Sequence, residues 1–268
     1  MRRAAALAAA ALLAGCATPR GVGALAGPSE GYLTPGMLGP LANAAGLSSE
    51  AASGPAWLPP VAPGTDRWWM ATAHAELRPP WAAQHFDCAL NTRLAERSRP
   101  GLTRMMGRLA VDVVALARQR LAHAGVVSRP RPFAALDGLE PCERASGAGR
   151  AVPSSPAAGA VLAGAYGELF AKLAPDAADA VRGTAREIGW SRAVCRMNWP
   201  ADVEAGLELG ARLSEAAATR PEFAADLAAA RDELSAARAE GLASPACAAE
   251  RRARRQWRAP DGPPGPSS

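Results

Sequence analysis

The chain has 268 residues and a formal net charge of +5, which allows one domain of about 200 residues with a full core and extended ends. The positive charge lies at the two ends, in Arg2 and Arg3 and in the arginines after Glu250, so the residues between them carry no basic excess. Binding along a phosphate backbone needs such an excess on the folded surface. The charge distribution therefore excludes nucleic acid as an expected partner.

Residues 1–15 have the order of a secretory signal, because two arginines precede a short apolar stretch and small residues. A helix that spans a membrane needs about 20 apolar residues, so we expect this segment to be cleaved. Residues 13–16, Leu-Ala-Gly-Cys, resemble the lipobox of bacterial lipoproteins, in which the cysteine after the cleavage site receives the lipid. The resemblance predicts an outer-membrane lipoprotein of the cell envelope that is anchored at Cys16 and faces the periplasm. The alternative is a soluble periplasmic protein with an ordinary signal.

The segments on either side of the central region have compositions that disfavour a packed structure. Residues 16–57 are rich in proline, glycine and alanine without sustained periodicity, which predicts a flexible tether. Residues 246–268 are basic and lack an apolar face to bury, so we predict a disordered tail.

Helical periodicity fills most of residues 58–245 and predicts one helical domain. The expected helices cover residues 66–77, 81–97, 102–124, 157–173, 176–193, 201–217 and 221–240. The helix over 157–173 is apolar nearly all round, which is typical of a buried central helix. Strand alternation with hairpin turns is missing from the sequence, so we predict an all-α fold in the form of an antiparallel helix bundle.

The cysteines other than Cys16 are even in number, and disulfides persist in exported proteins. The cysteines in question are Cys88, Cys142, Cys195 and Cys247. The sequence allows three ways of pairing them and leaves free thiols as the alternative.

Three short motifs follow one another along the chain. They read AGVVSRPRP at 124–132, PSSP at 153–156 and SRAVCRMNWPAD at 191–202. Their order and separations resemble K-x6-R-P, P-S-G-H and S-R-x5-H-x3-D, the motifs of the bacterial class A acid phosphatases. That family belongs to the phosphatidic acid phosphatase type 2 superfamily, and the similarity runs from about residue 58 to about residue 241. The resemblance implies the helix bundle of that superfamily.

The catalytic positions of this family are substituted in the chain. In the family, one histidine attacks phosphorus, a second protonates the leaving oxygen, and a lysine helps to hold the phosphate. The corresponding residues here are Asn198, Pro156 and Ala124. An amide nitrogen has no available lone pair and proline has no side-chain proton, so the resemblance implies a catalytically inactive relative.

Other positions of the family's site are retained. The resemblance implies that Asp202 is the orienting carboxylate, one helical turn beyond position 198. It also implies a residual site for phosphate or a phosphorylated small molecule, formed by Arg131, Ser154, Ser155 and Arg192. Each of these residues also has a structural interpretation, since Ser155 and Pro156 are typical of a helix start.

Two alternative functions stay open at this point. One is a working acid phosphatase with reduced or altered activity, although the histidines His74, His85 and His123 all precede the second motif. The other is a structural envelope lipoprotein whose basic tail touches anionic surfaces. The related vanadium haloperoxidases also need the missing histidine, and the sequence has no motif for a metal or another cofactor.

Overall fold

The computed structural model describes residues 30–44, 57–122 and 129–261. Within these ranges every regular element is helical, which confirms the predicted all-α class, whereas the kinship with a particular bundle type stays a prediction. The α-helices are α1 Pro35–Ala44, α2 Asp66–Ala73, α3 Asp87–Leu90, α4 Pro100–Ala122, α5 Pro132–Ala135, α6 Gly147–Ala151, α7 Ala158–Leu173, α8 Ala178–Val194, α9 Pro200–Ala218, α10 Pro221–Ala239 and α11 Cys247–Gln256. Shorter 3-10 segments cover Trp81–Phe86, Leu94–Glu96 and Pro175–Ala177. None of the helices in these ranges is both long and apolar enough to cross a membrane.

Helix α7 lies at the centre of the bundle and packs against α4, α8 and α9. Its close approach to α9 depends on glycine at the contact. A Cβ atom added at Gly164 would lie 2.2 Å from the carbonyl oxygen of Leu207, and one at Gly210 would lie 2.0 Å from that of Val161. Only a residue without a side chain fits this spacing, so these two positions set the distance between the helices that later form the site.

The prediction of a flexible tether is wrong over residues 30–44, because this segment packs on α4. The carboxylate of Asp112 on α4 accepts hydrogen bonds from the backbone N–H groups of Tyr32 (2.9 Å) and Leu33 (3.0 Å). Leu38 and Ala42, four residues apart on α1, are buried. The apolar spacing and the buried acceptor outweigh the unfavourable glycine and proline content of the segment.

The prediction of a disordered tail is wrong over residues 246–261. Helix α11 packs against α2, and its residue Ala253 is buried. The arginines of α11 find acceptors on neighbouring helices: Arg252 pairs with Asp66 (3.3 Å) and Arg254 donates to the hydroxyl of Thr184 (3.3 Å). The folded unit therefore extends beyond the predicted boundary at residue 245.

The disulfide pairing is one of the three that the sequence allows. Cys88 is bonded to Cys247, with a Cα–Cα distance of 5.5 Å, and Cys142 is bonded to Cys195, with a Cα–Cα distance of 4.8 Å. The first bond ties α11 to α3. The second ties the loop that precedes α6 to the end of α8.

The predicted helix over residues 81–97 is divided into a 3-10 segment, the short helix α3 and a second 3-10 segment. The interruption falls at Asn91, which adopts a left-handed backbone conformation with φ of +51°. Asparagine tolerates this conformation better than most residues. The remaining predicted helices occur within a few residues of their expected bounds.

Candidate functional site

The ends of the three motifs meet where α7 and α9 begin. The backbone N–H of Ser154 donates to the carbonyl of Arg129 (2.8 Å), and the side-chain amide of Asn198 donates to the carbonyl of Ser154 (2.6 Å). The indole N–H of Trp199 donates to the carbonyl of Pro130 (2.8 Å). Hydrogen bonds therefore join segments that are far apart in sequence into one compact site.

Asn198, at the position of the family's nucleophile, serves as a structural donor. It lies in the turn after α8, where its backbone N–H donates to the carbonyl of Arg192 (3.2 Å) and Arg196 has a positive φ of 61°. The side chain is 2% exposed, and its nitrogen is committed to the carbonyl of Ser154. This geometry offers no lone pair for attack on phosphorus.

Asp202 lies in the first turn of α9 and hydrogen-bonds with Ser154. The hydroxyl of Ser154 accepts from the backbone N–H of Trp199 (3.0 Å) and donates to the Asp202 carboxylate. Burial raises the pKa of Asp202, while the Ser154 hydrogen bond and the charges of Arg129 and Arg120 act in the opposite direction. One carboxylate oxygen, Oδ2, is buried and has no hydrogen-bond partner in the part of the chain that the structure describes. The hydroxyl of Ser154 is thus engaged inside the fold.

Arg131 precedes α5 and is held by two backbone carbonyls. Its Nε–H donates to the carbonyl of Val152 (3.1 Å) and one terminal nitrogen donates to that of Met197 (3.4 Å). Burial lowers the pKa of Arg131, the positive charge of Arg192 lowers it further, and the negative charge of Glu143 raises it. Arg131 therefore lies within electrostatic reach of both residues.

Arg192 projects from α8 across the beginning of α7. A Cβ atom at Gly159, the second residue of α7, would lie 2.9 Å from the Cδ atom of Arg192, so the arginine stem lies directly on the helix backbone. The guanidinium donates to the carboxylate of Glu143, while its Nε is buried and has no hydrogen-bond partner among the described residues. Arg192 therefore pairs with Glu143, whereas Arg131 bonds with backbone carbonyls and acts on the pair through its charge.

The other predicted site residues are placed as follows. The peptide bond between Ser155 and Pro156 is cis, and the two residues lead into Ala157, the N-cap of α7. Ser155 is buried at 4% exposure. Ala124, the position of the family's lysine, and Cys16, the predicted lipid site, lie outside the described residues.

The paired side chains of Arg192 and Glu143 line an open cleft of about 520 Å³. Its walls combine apolar side chains with charged ones at the rim. The lining residues are Thr72, Ala75, Glu76, Leu77, Arg78, Glu143, Gly159, Leu162 and Arg192. Solvent and a small anion can therefore reach the pair. Among the described residues, no group of histidine, cysteine and acidic side chains has the arrangement of a metal site.

The sequence interpretation missed a buried network behind the site. The hydroxyl of Ser191, part of the third motif, donates to the carbonyl of Glu187 (2.8 Å) and accepts from Arg67 (3.1 Å). It also hydrogen-bonds with Nδ1 of His74 (2.8 Å), and the tautomer of the imidazole decides which of the two groups donates. Burial lowers the pKa of His74 well below 6.5, which favours the neutral imidazole. Arg67 lies in the first turn of α2 and His74 is its C-cap, and this spacing of two turns was the available signal.

Glu143 was also missed, since it lies in an irregular loop outside the three motifs. The disulfide between Cys142 and Cys195 holds this loop close to Arg192. In a comparison with models of known protein families, no model matches this sequence. The kinship with the acid phosphatases therefore stays a prediction that rests on the three motifs.

Proposed function

We propose that the chain is an acid-phosphatase-like envelope lipoprotein that lacks phosphatase chemistry and retains a weak site for phosphate or a phosphorylated small molecule. The observation that carries the proposal is the guanidinium of Arg192, which lines an open cleft and pairs with Glu143, with the positive charge of Arg131 close enough to act on it. Both arginines stand at motif positions that hold phosphate in the family, while Pro156 and Asn198 stand at the histidine positions.

The loss of catalysis follows from the two substitutions. Loss of a general acid alone typically costs about 10²–10⁴ in rate, and loss of a covalent nucleophile costs on the order of 10⁶. Because Asn198 also donates its amide hydrogen to a buried carbonyl, it is fixed in a structural role. The alternative of an active phosphatase would need a nucleophile from another residue, and the described residues that line the cleft around Arg192 include neither a histidine nor a cysteine.

The affinity for an anion should be weak. Each charge-assisted hydrogen bond contributes about 1.5–3 kcal/mol, and association itself costs several kcal/mol. Both arginines already donate to a carboxylate or to carbonyls, so an anion has to replace existing bonds. We therefore expect a dissociation constant of roughly millimolar or weaker.

Thermal unfolding in phosphate tests the site. The melting temperature would be measured in increasing inorganic phosphate at constant ionic strength for the wild type, Arg192→Gln and the control Arg182→Gln. Arg182 lies on the same helix, ten residues before Arg192, where it is exposed and pairs with Glu168 (2.8 Å). We expect phosphate to raise the melting temperature of the wild type and of the control, with a clearly smaller rise for Arg192→Gln. An equal rise in all three proteins would show that phosphate acts elsewhere and would overturn the proposal.

A further inference from the structure

Glu143 provides the carboxylate that pairs with Arg192. The guanidinium of Arg192 donates to it, and its negative charge also acts on Arg131. Carboxylates and phosphates present paired oxygens that suit the same guanidinium donors. The Glu143 carboxylate therefore occupies a guanidinium donor of Arg192 that a phosphate oxygen would otherwise use.

The position of Glu143 is set by covalent and backbone contacts. Its neighbour Cys142 is bonded to Cys195, three residues beyond Arg192, and the backbone N–H of Cys142 donates to the carbonyl of Cys195 (3.4 Å). Arg196 donates to the carbonyl of Glu140 (2.8 Å) in the same loop. The loop is thus clamped to the end of the helix that carries Arg192, with no ligand needed to hold it.

The two partners of the ion pair differ in their freedom to move. The side chain of Arg192 is 10% exposed and lies on the backbone of α7, whereas that of Glu143 is 29% exposed at the wall of the open cleft. A rotation of the Glu143 side chain towards solvent would free the guanidinium, while the backbone of the loop stays clamped.

We propose that Glu143 is a built-in competitor of the anion site, and that the ligand it competes with is a phosphate dianion. This inference rests on the anion site proposed above. With Glu143 in place, two guanidinium groups and one carboxylate leave a single positive charge for the incoming dianion. Removal of the carboxylate charge leaves two positive charges. A unit charge at contact distance changes the affinity for the dianion by at least about tenfold in a partly hydrated site.

Phosphate titration of charge-matched variants tests the competitor. Glu143→Gln keeps the shape of the side chain and removes its charge, and Glu140→Gln removes one charge from an exposed position of the same loop. Calorimetry at constant ionic strength would measure the dissociation constant for inorganic phosphate of the wild type and both variants. The same measurement would be repeated on each of these proteins with Arg192→Gln added. We expect Glu143→Gln to bind at least about tenfold more tightly than the wild type. Glu140→Gln should stay within about twofold of the wild type, because an exposed charge outside the pair is screened.

The outcomes separate this inference from the function on which it rests. Glu143→Gln and Glu140→Gln could bind phosphate equally well, and both could lose this binding when Arg192→Gln is added. That result would overturn the role of Glu143 as a competitor and would support the anion site. Phosphate binding that does not depend on Arg192 in any of the proteins would overturn the site and the competitor together. If Glu143→Gln binds phosphate more tightly than the wild type and the increase disappears when Arg192→Gln is added, the result would support both the anion site and the competitor.

Discussion

Asn198 and Asp202 occupy motif positions whose chemistry depends on their immediate partners. In the family that the motifs resemble, the carboxylate one turn beyond the nucleophile orients an imidazole. Here the Asp202 carboxylate bonds with the hydroxyl of Ser154, and Asn198 bonds with the carbonyl of the same serine. Ser154 therefore joins the two positions into a buried structural unit at the start of α9.

The stability contributed by Asp202 should depend on pH. Burial raises its pKa, so the folded protein holds this proton more tightly than the unfolded chain does. The resulting stabilisation is complete below the ordinary pKa of an aspartate and is lost as the pH rises through the raised value. Asp202→Asn keeps an oxygen that accepts from Ser154 and removes the titration.

We expect the melting temperature of Asp202→Asn, relative to the wild type, to increase between pH 4 and pH 8. Differential scanning calorimetry over this range measures the difference directly. A difference that stays constant with pH would contradict the assignment of a raised pKa to Asp202.

At the scale of the helices, the sequence is most informative where apolar residues repeat over several turns. Helices α4 and α7 to α10 were predicted almost to their ends because their buried faces consist of regularly spaced apolar side chains. Helix α1 was not predicted because Pro40 and the nearby glycines are unfavourable in a helix, and because just two of its described residues are buried. Helix α11 was missed because Ala253 is its one fully buried side chain.

The candidate site was predictable only in part for a related reason. Motif positions such as Arg131, Arg192 and Asn198 could be found by their spacing along the chain. The partner of Arg192 is Glu143, and its approach depends on which of three disulfide pairings forms. Local patterns do not encode that choice, so the carboxylate that pairs with Arg192 could not be predicted from the sequence.

The docking of α11 can be tested on its buried face. Ala253 lies against α2, whereas Ala248 on the same helix is exposed. Ala253→Asp would bury an unpaired charge, and we expect it to lower the free energy of unfolding by about 2–4 kcal/mol. Ala248→Asp should change it by less than about 0.5 kcal/mol. Urea unfolding curves that show the same small change for both variants would mean that the tail does not pack on the fold.

At the scale of the whole molecule, two covalent links connect the periphery to the bundle. The bond between Cys88 and Cys247 fastens the last helix, and the bond between Cys142 and Cys195 fastens the loop that carries Glu143. Both require an oxidising compartment to persist. This agrees with the exported, envelope-bound protein that we propose from residues 1–16.

The lipid anchor itself can be tested by fractionation. An acylated Cys16 would insert several chains at about 0.8 kcal/mol per buried CH₂ group, which is enough for stable attachment. We expect the wild type in the outer-membrane fraction and Cys16→Ser in the soluble periplasmic fraction. A wild-type protein that is already soluble would contradict the predicted anchor.

We propose that the arginines persist in a site that has lost its chemistry, and hydrolysis of an aryl phosphate is the measurement that tests this proposal. Release of the aryl alcohol would be followed from pH 4 to pH 8 for the purified wild type and for Arg192→Gln. Because Pro156 and Asn198 can neither donate a proton nor attack phosphorus, we predict rates that do not differ between the two proteins or from buffer. Turnover in the wild type that survives repurification and disappears in Arg192→Gln would contradict the account.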